Sequence, residues 1–251
     1  MTDLSNKVAL VTGSARGVGK AIALRYASLG ANVVVNYSED EANATRTVEE
    51  VEAFGVEAIA VKADVSKVAD LENLFAVAID RFGKLNIVVA NAGIELPLVP
   101  LAEATEEQFD RLFGVNTKGA FFTLKFAADH VADNGRILYI GSSTTTAPLP
   151  GAGLYGSSKM AVRYLVEVLA IEAGHRGITV NTIIPTVIEG AGIYTDIHEE
   201  DPFRQSMAQF RPIGGRMGQA ADVADAAEYF ASDLAAWVSG QYLLIAGGAS
   251  Q

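Results

Sequence analysis

The chain has 251 residues, half of them hydrophobic and a fifth charged, with no cysteine and a formal net charge of −11. This composition supplies apolar surface for one large core and excludes a disordered chain, a disulfide framework and thiolate chemistry. The acidic balance argues against nucleic acid, which needs a basic face, so an anionic ligand would require a local cationic or amide-lined site.

The N-terminal "MTDLSNKVALVTG" lacks a basic region followed by a long apolar run, and no later stretch reaches the apolar length of a membrane span. No signal peptide and no membrane are expected, and a reducing, cytoplasmic setting fits the absence of cysteine. Apolar β-branched runs then alternate with segments of helical period. The predicted strands are 7–12, 32–37, 57–65, 86–90, 136–141, 178–184 and 242–246. Between them, "KAIALRYASLG", "LENLFAVAIDRFG" and "KMAVRYLVEVLAIEAG" repeat apolar residues at three and four, and Gly30, Gly83 and Gly174 read as helix stops. The alternation predicts an α/β, Rossmann-type, doubly wound parallel sheet of about seven strands with helices on both faces. No linker divides residues 1–251, so one domain is expected. Residues 186–219 are too long for an ordinary connection and read as a substrate-binding loop or lid.

The loop after the first strand carries the first chemical signal. "TGSARGVGKAIA" places Gly13, Ser14, Arg16, Gly17, Val18 and Gly19 in a turn that opens a helix. Glycines let the backbone approach a ligand closely, and a helix N-terminus offers free N–H groups and a positive dipole end, which suits a pyrophosphate. The spacing is G-x-x-x-G-x-G, and no G-K-[ST] follows as in a Walker loop. At the end of the second strand an NAD site offers a carboxylate to the ribose, whereas an added 2′-phosphate needs a cation. Here "VVVNYSED" puts Asn36 in that place, followed by Tyr37 and Ser38, and Arg16 supplies a positive charge. NADP(H) is therefore expected over NAD(H), unless Glu39, Asp40 and Glu41 face the site instead of starting the next helix.

Ser142 ends the strand "RILYIGSS", and thirteen residues on Tyr155 begins a helix with Lys159 one turn later. A phenol titrates near pH 10 and is a poor proton donor or acceptor at neutral pH unless a cation stabilises its phenolate. Lys159 is placed to be that cation, so the tyrosine exchanges a proton and the lysine tunes it.

These motifs resemble the classical short-chain dehydrogenase/reductase family over essentially the full length. The resemblance rests on "TGSARGVG" (12–19), "ADV" (63–65), "ANAG" (90–93), "VNTKGAFF" (115–122), "IGSS", "YGSSK" (155–159) and "SGQYLLIAGG" (239–248). It implies that Tyr155 is general acid in carbonyl reduction and base in alcohol oxidation, that Ser142 hydrogen-bonds the carbonyl oxygen, and that Lys159 also holds the nicotinamide ribose. It further implies that Asn116 helps hold a proton-relay water, that Asp64 with Val65 binds the adenine, and that Asn91, Ala92 and Gly93 line the adenosine pocket. Alone, Asn116 could cap a turn, Asp64 could start a helix and Ser142 could satisfy backbone; their occurrence together with Tyr155 and Lys159 favours the functional reading.

The chain departs from the family pattern after the sixth strand. "IIPTVIEGAG" has Thr186 after Pro185 where glycine is common in the family, and Glu189 or Gly190 where a carboxamide-binding threonine is expected; the resemblance implies that the Val187 backbone still holds the carboxamide and that Pro185 borders the cofactor. "ANAG" replaces the commoner double-asparagine form. The substrate pocket is expected from Thr144–Gly153 and 186–215, with Glu95 and Leu96 nearby, and suits a neutral carbonyl compound. The resemblance extends to 3-oxoacyl-carrier-protein reductases and to polyketide or naphthol reductases. It implies a homotetramer, for which helices 154–173 and 107–128 offer apolar faces. A serine hydrolase is disfavoured, because G-x-S-x-G is absent and His130, His175 and His198 sit apart from Ser142. No metal is expected; His198 with Glu199, Glu200 and Asp201 reads as a solvated loop face. A dinucleotide-binding sensor that has lost turnover is the rival of another class.

Overall fold

The computed structural model describes residues 2–96, 98–192, 195 and 200–249. Its architecture follows from the first strand, β1 (Val8–Val11), in which all four side chains are buried. Successive strand residues face opposite sides, so a strand buried throughout must be covered on both faces. Val8 and Leu10 pack on one side with α3 (Val68–Phe82), α5 (Ala120–His130) and α6 (Gly153–Glu172). Ala9 and Val11 pack on the other with α1 (Gly17–Ser28) and α8 (Ala220–Ala231). A third cluster joins α1 and α2 (Glu41–Glu52) to β2 (Asn32–Tyr37).

The remaining strands are β3 (Ala58–Lys62), β4 (Leu85–Ala90), β5 (Val131–Ile140), β6 (Thr179–Pro185) and β7 (Tyr242–Ile245). All seven form one parallel sheet in the order β3-β2-β1-β4-β5-β6-β7. The chain winds outward from β1 to β3, then returns to the other side of β1 at β4. The direction of winding reverses between β1 and β4, and a crevice opens beyond their carboxyl ends.

Five predicted strands match within about one residue, and two differ for local reasons. β3 stops at Lys62 because Asp64 accepts the Ser66 N–H at 3.0 Å and folds "ADVS" into a turn. β5 begins at Val131 instead of 136: Val131 pairs with Leu85, the register then shifts, and Asn134 adopts φ 62° before Arg136 meets Ile87. The predicted stop at Gly174 is also corrected. α6 is capped by Ala173, a short 3-10 turn covers Gly174–Arg176, and the left-handed residue is Gly177 at φ 69°.

The predicted apolar helix 107–128 is three pieces. α4 (Glu106–Leu112) gives way to a π-helical segment, Phe113–Gly119, which leads into α5. Within 186–219 the chain forms α7 (Pro202–Gln209), with Pro202 in its first turn and Asp201 accepting the Phe203 N–H at 2.8 Å. Among the described residues no helix is long and apolar enough to cross a membrane.

Candidate active site

The crevice at the β1/β4 reversal is a cleft of about 810 Å³. One end is the glycine turn. Gly13 takes φ 61° with its missing Cβ 3.0 Å from the Ala92 Cα, and a Cβ on Gly19 would fall 2.5 Å from both Asn91 Nδ2 and the Gly13 carbonyl. No side chain would fit at Gly19. α1 starts here with no side-chain cap: Arg16 stands at the N-cap position without bonding the first turn. An uncapped, glycine-lined helix N-terminus facing a cleft fits the pyrophosphate of a dinucleotide.

Several predicted ligands prove to be struts of this turn. Asn36 is buried; its Oδ1 accepts the Gly13 N–H at 3.0 Å, and its amide donates to the carbonyls of Val61 and Ala63 at 3.3 and 3.0 Å. Asn36 borders the cleft together with Tyr37 and Ser38, and the hydrogen bonds of its side chain are made within the protein. Ser14 is likewise buried, donating to the Val11 carbonyl at 2.7 Å. Asn91 donates to the carbonyls of Thr12 and Gly13 at 2.8 and 3.1 Å. The outward-facing set is Arg16 and Ser38, both exposed, with Tyr37, Val18 and Val65 lining the cleft.

The acidic run after β2 does start a helix. Asp40 caps α2 by accepting the Asn43 N–H at 3.2 Å, and Glu41 lies in the first turn. The Asn43 hydrogen bonds hold the Asp40 carboxyl below its usual range, with the Arg16 and Arg46 charges adding to this. Glu39 and Asp40 nevertheless border the cleft. For Asp64, burial pushes the carboxyl up, but the Ser66 hydroxyl and N–H and the Lys67 ammonium outweigh it and the net direction is down.

At the centre of the cleft the structure brings Ser142, Tyr155 and Lys159 together. Ser142 leaves the end of β5 and accepts hydrogen bonds from the Thr144 N–H and hydroxyl at 3.3 and 3.0 Å. With its acceptor capacity engaged, its own proton is available to a ligand oxygen. The turn is tied to α6, since the Thr145 carbonyl accepts from Arg163 at 2.9 Å. Lys159 is buried, donates to the Ile140 carbonyl at 3.1 Å, and lies 6.0 Å from the Tyr155 ring centroid. Burial lowers its ammonium to about 8, against the pull of the Glu95 carboxylate.

Gly93 and Asn116 complete the arrangement, by a route that spacing does not reveal. A Cβ on Gly93 would fall 2.9 Å from the Lys159 Nζ and 3.2 Å from the Asn116 Oδ1. Asn116, fully buried in the π-helical segment, accepts the Ile94 N–H at 2.8 Å and donates to the Ile94 carbonyl and the Ser158 hydroxyl at 2.9 and 3.1 Å. Its side chain is thus spent on positioning. The only sequence signal for this role is the asparagine within "VNTKG" itself.

The other end of the cleft is lined by Thr144, Leu149, Gly151, Leu154 and the segment after β6, together with Glu95 and Leu96. Pro185 and Val187 both border it. Glu189, one of the two positions where a threonine is expected, accepts from the Arg204 Nε at 2.8 Å and so ties the segment after β6 to α7. His198 and Glu199 lie outside the described residues.

Comparison with known proteins agrees with this geometry. The family model described as enoyl-(acyl carrier protein) reductase matches residues 13–250. A hydroxynaphthalene reductase-like protein of Metarhizium brunneum is 38% identical over 261 residues, covering 98% of this chain and 95% of its own length. Versicolorin reductase 1 of Dothistroma septosporum is 40% identical over 257 residues, covering 98% and 97%. Among solved structures, the promiscuous reductase LugOII, which catalyses keto-reduction at C1 in lugdunomycin biosynthesis, is 35% identical with a TM-score of 0.91 over 100% of both chains. A short-chain dehydrogenase of Burkholderia cenocepacia in complex with NADP is 33% identical with a TM-score of 0.91 over 99% of both chains. In sequence over nearly its whole length and in fold, the chain belongs to the short-chain dehydrogenase/reductase family of oxidoreductases.

Proposed function

We propose that this protein is an NADPH-dependent ketoreductase that interconverts a carbonyl compound and an alcohol, with Tyr155 as the proton donor in reduction and acceptor in oxidation. The observation that carries the reading is the buried Lys159 ammonium, held by the Ile140 carbonyl beside the Tyr155 ring. A cation there favours the phenolate that proton transfer leaves behind. The nicotinamide cofactor, when bound, supplies or accepts the hydride. Ser142 donates its hydroxyl proton to the substrate oxygen as negative charge grows on it. Asn116 acts as a positioning residue through Ile94 and Ser158. The residues that would hold the dinucleotide are the glycine turn with the uncapped start of α1, then Asp64 and Val65, Asn91 to Gly93, Tyr155 and Lys159 at the ribose, and Pro185 with Val187.

Preference for NADP(H) is supported by the exposed Arg16 guanidinium, by Tyr37 and Ser38 at the mouth where no carboxylate ends β2, and by the NADP held in two solved relatives from Burkholderia cenocepacia. The substrate is read as a small carbonyl compound. The names of the fungal relatives and of LugOII favour an aromatic polyketide type over an acyl-carrier-protein thioester. Self-association as a homotetramer is supported by exposed apolar residues on the expected faces: Phe109 and Phe121 on one side, and Met160, Tyr164 and Ile171 along α6.

Tyr155→Phe is expected to lower the rate of NADPH oxidation with ketones by at least about a hundredfold. NADPH binding by fluorescence is measured in parallel to separate lost chemistry from lost cofactor, and full ketone reduction by the variant would refute the assignment. Arg16→Ala is expected to weaken NADPH binding on the order of tenfold, with a much smaller effect on NADH; equal effects on both would remove Arg16 from the 2′-phosphate site. Light scattering after gel filtration is expected to give four times the chain mass, and a monomer would overturn the tetramer.

A further inference from the structure

Glu95 is a carboxylate that the mechanism above does not use. It follows Ile94, the residue whose N–H and carbonyl are both clamped by Asn116, so its place on the cleft wall is fixed from below. It is half-buried, and its Oε2 lies 3.4 Å from the point where a Cβ on Gly192 would stand, so the carboxylate sits beneath the segment that follows β6. Gly192 adopts φ 60°, a backbone conformation that residues with side chains rarely take. Among the described residues Glu95 makes neither an ion pair nor a hydrogen bond.

The surroundings sharpen the anomaly. On the substrate side the neighbours are mostly apolar, with Leu96, Leu98, Val99, Leu149 and Leu154 on the wall. The other lining carboxylates lie at the glycine-turn end: Asp40 and Asp64 are bonded to Asn43 and Ser66, and Glu39 is exposed to solvent, whereas Glu95 is half-buried. A carboxylate partly withdrawn from water without a donor costs free energy, and burial does push the Glu95 carboxyl up while Lys159 pulls it down. A bound molecule that brings a donor would remove that cost.

We propose that Glu95 is a specificity residue whose carboxylate accepts a hydrogen bond from a hydroxyl on the substrate, so that the site selects hydroxylated carbonyl compounds over their deoxy counterparts. The inference rests on the ketoreductase reading for the carbonyl and adds the second functional group. The three available substrate chemistries separate on charge. An anionic substrate meets repulsion from Glu95. A cationic one brings a second positive charge beside Lys159. A neutral hydroxyl satisfies the acceptor and adds no charge.

The test is calorimetric binding of α-tetralone and a series of its ring-hydroxylated forms to the protein saturated with NADP⁺, in which no turnover occurs. Wild type is expected to bind at least one hydroxytetralone on the order of tenfold more tightly than tetralone. Glu95→Leu is expected to bring that ratio near one, and Glu95→Gln, which keeps an acceptor oxygen, to retain part of it. A ratio that survives Glu95→Leu, or no preference in wild type across the series, would overturn the proposal. Absorbance assays with NADPH on the same ketones keep the two readings apart. A binding preference without reduction would fault the ketoreductase reading and leave the role of Glu95 standing; reduction without a preference would do the reverse.

Discussion

The buried ammonium of Lys159 is the constraint around which this site is built. A cation withdrawn from water is tolerated only when neighbouring groups compensate it. Here the Ile140 carbonyl accepts a hydrogen bond from it, the faces of Tyr139 and Tyr155 flank it at 5.5 and 6.0 Å, and Glu95 adds a favourable charge. The glycine at 93 leaves it room, since a Cβ there would stand 2.9 Å from its Nζ. The turn carrying Gly93 is held by Asn116, and Asn116 reaches it from a π-helical segment that interrupts what would otherwise be one helix. π-bulges of this kind recur at functional sites because an extra residue in the turn re-aims a side chain. "ANAG", "VNTKG" and "YGSSK" are therefore parts of one mechanical unit, although about 20 to 65 residues separate them along the chain.

Much of this is legible before any coordinates. The central strands β1, β2, β4 and β6 read out because they are buried on both faces and so appear as unbroken apolar runs, and the glycine turn reads out because backbone that approaches a ligand excludes side chains. What stays hidden depends on where side chains point. Asn36 has the right place in sequence for a ribose contact, yet strand alternation turns it under the glycine turn, where it joins β2 to β3 and to Gly13. The π-helical segment carries no periodicity signal because the apolar pattern on either side continues through it. The start of β5 hides in "VADNG", a polar, turn-like stretch that a register shift accommodates. α7 could have been found from "EEDPF", in which aspartate followed by proline is a helix start.

The cleft has two ends with different chemistry. The end at the glycine turn is made of main-chain groups, the exposed Arg16 guanidinium, and two acids held locally, Asp40 by Asn43 and Asp64 by Ser66. The other end is particular to this chain: an apolar wall, the Glu95 carboxylate, and a segment after β6 in which Glu189 spends its charge on Arg204 of α7. That ion pair ties the stretch beyond Pro185 to α7 by a charge-assisted contact.

The central claim is that a charged Lys159 beside Tyr155 drives proton transfer, and the pH dependence of ketone reduction under saturating NADPH tests it most directly. Burial holds Lys159 near 8, so it is charged below that pH and loses its proton above it. kcat/KM for reduction is accordingly expected to stay level toward neutral pH and to fall as pH rises through about 8. Glu95→Gln removes a carboxylate that favours the ammonium, and the falling limb should then move to lower pH. A wild-type profile that stays flat to pH 10 would contradict the account.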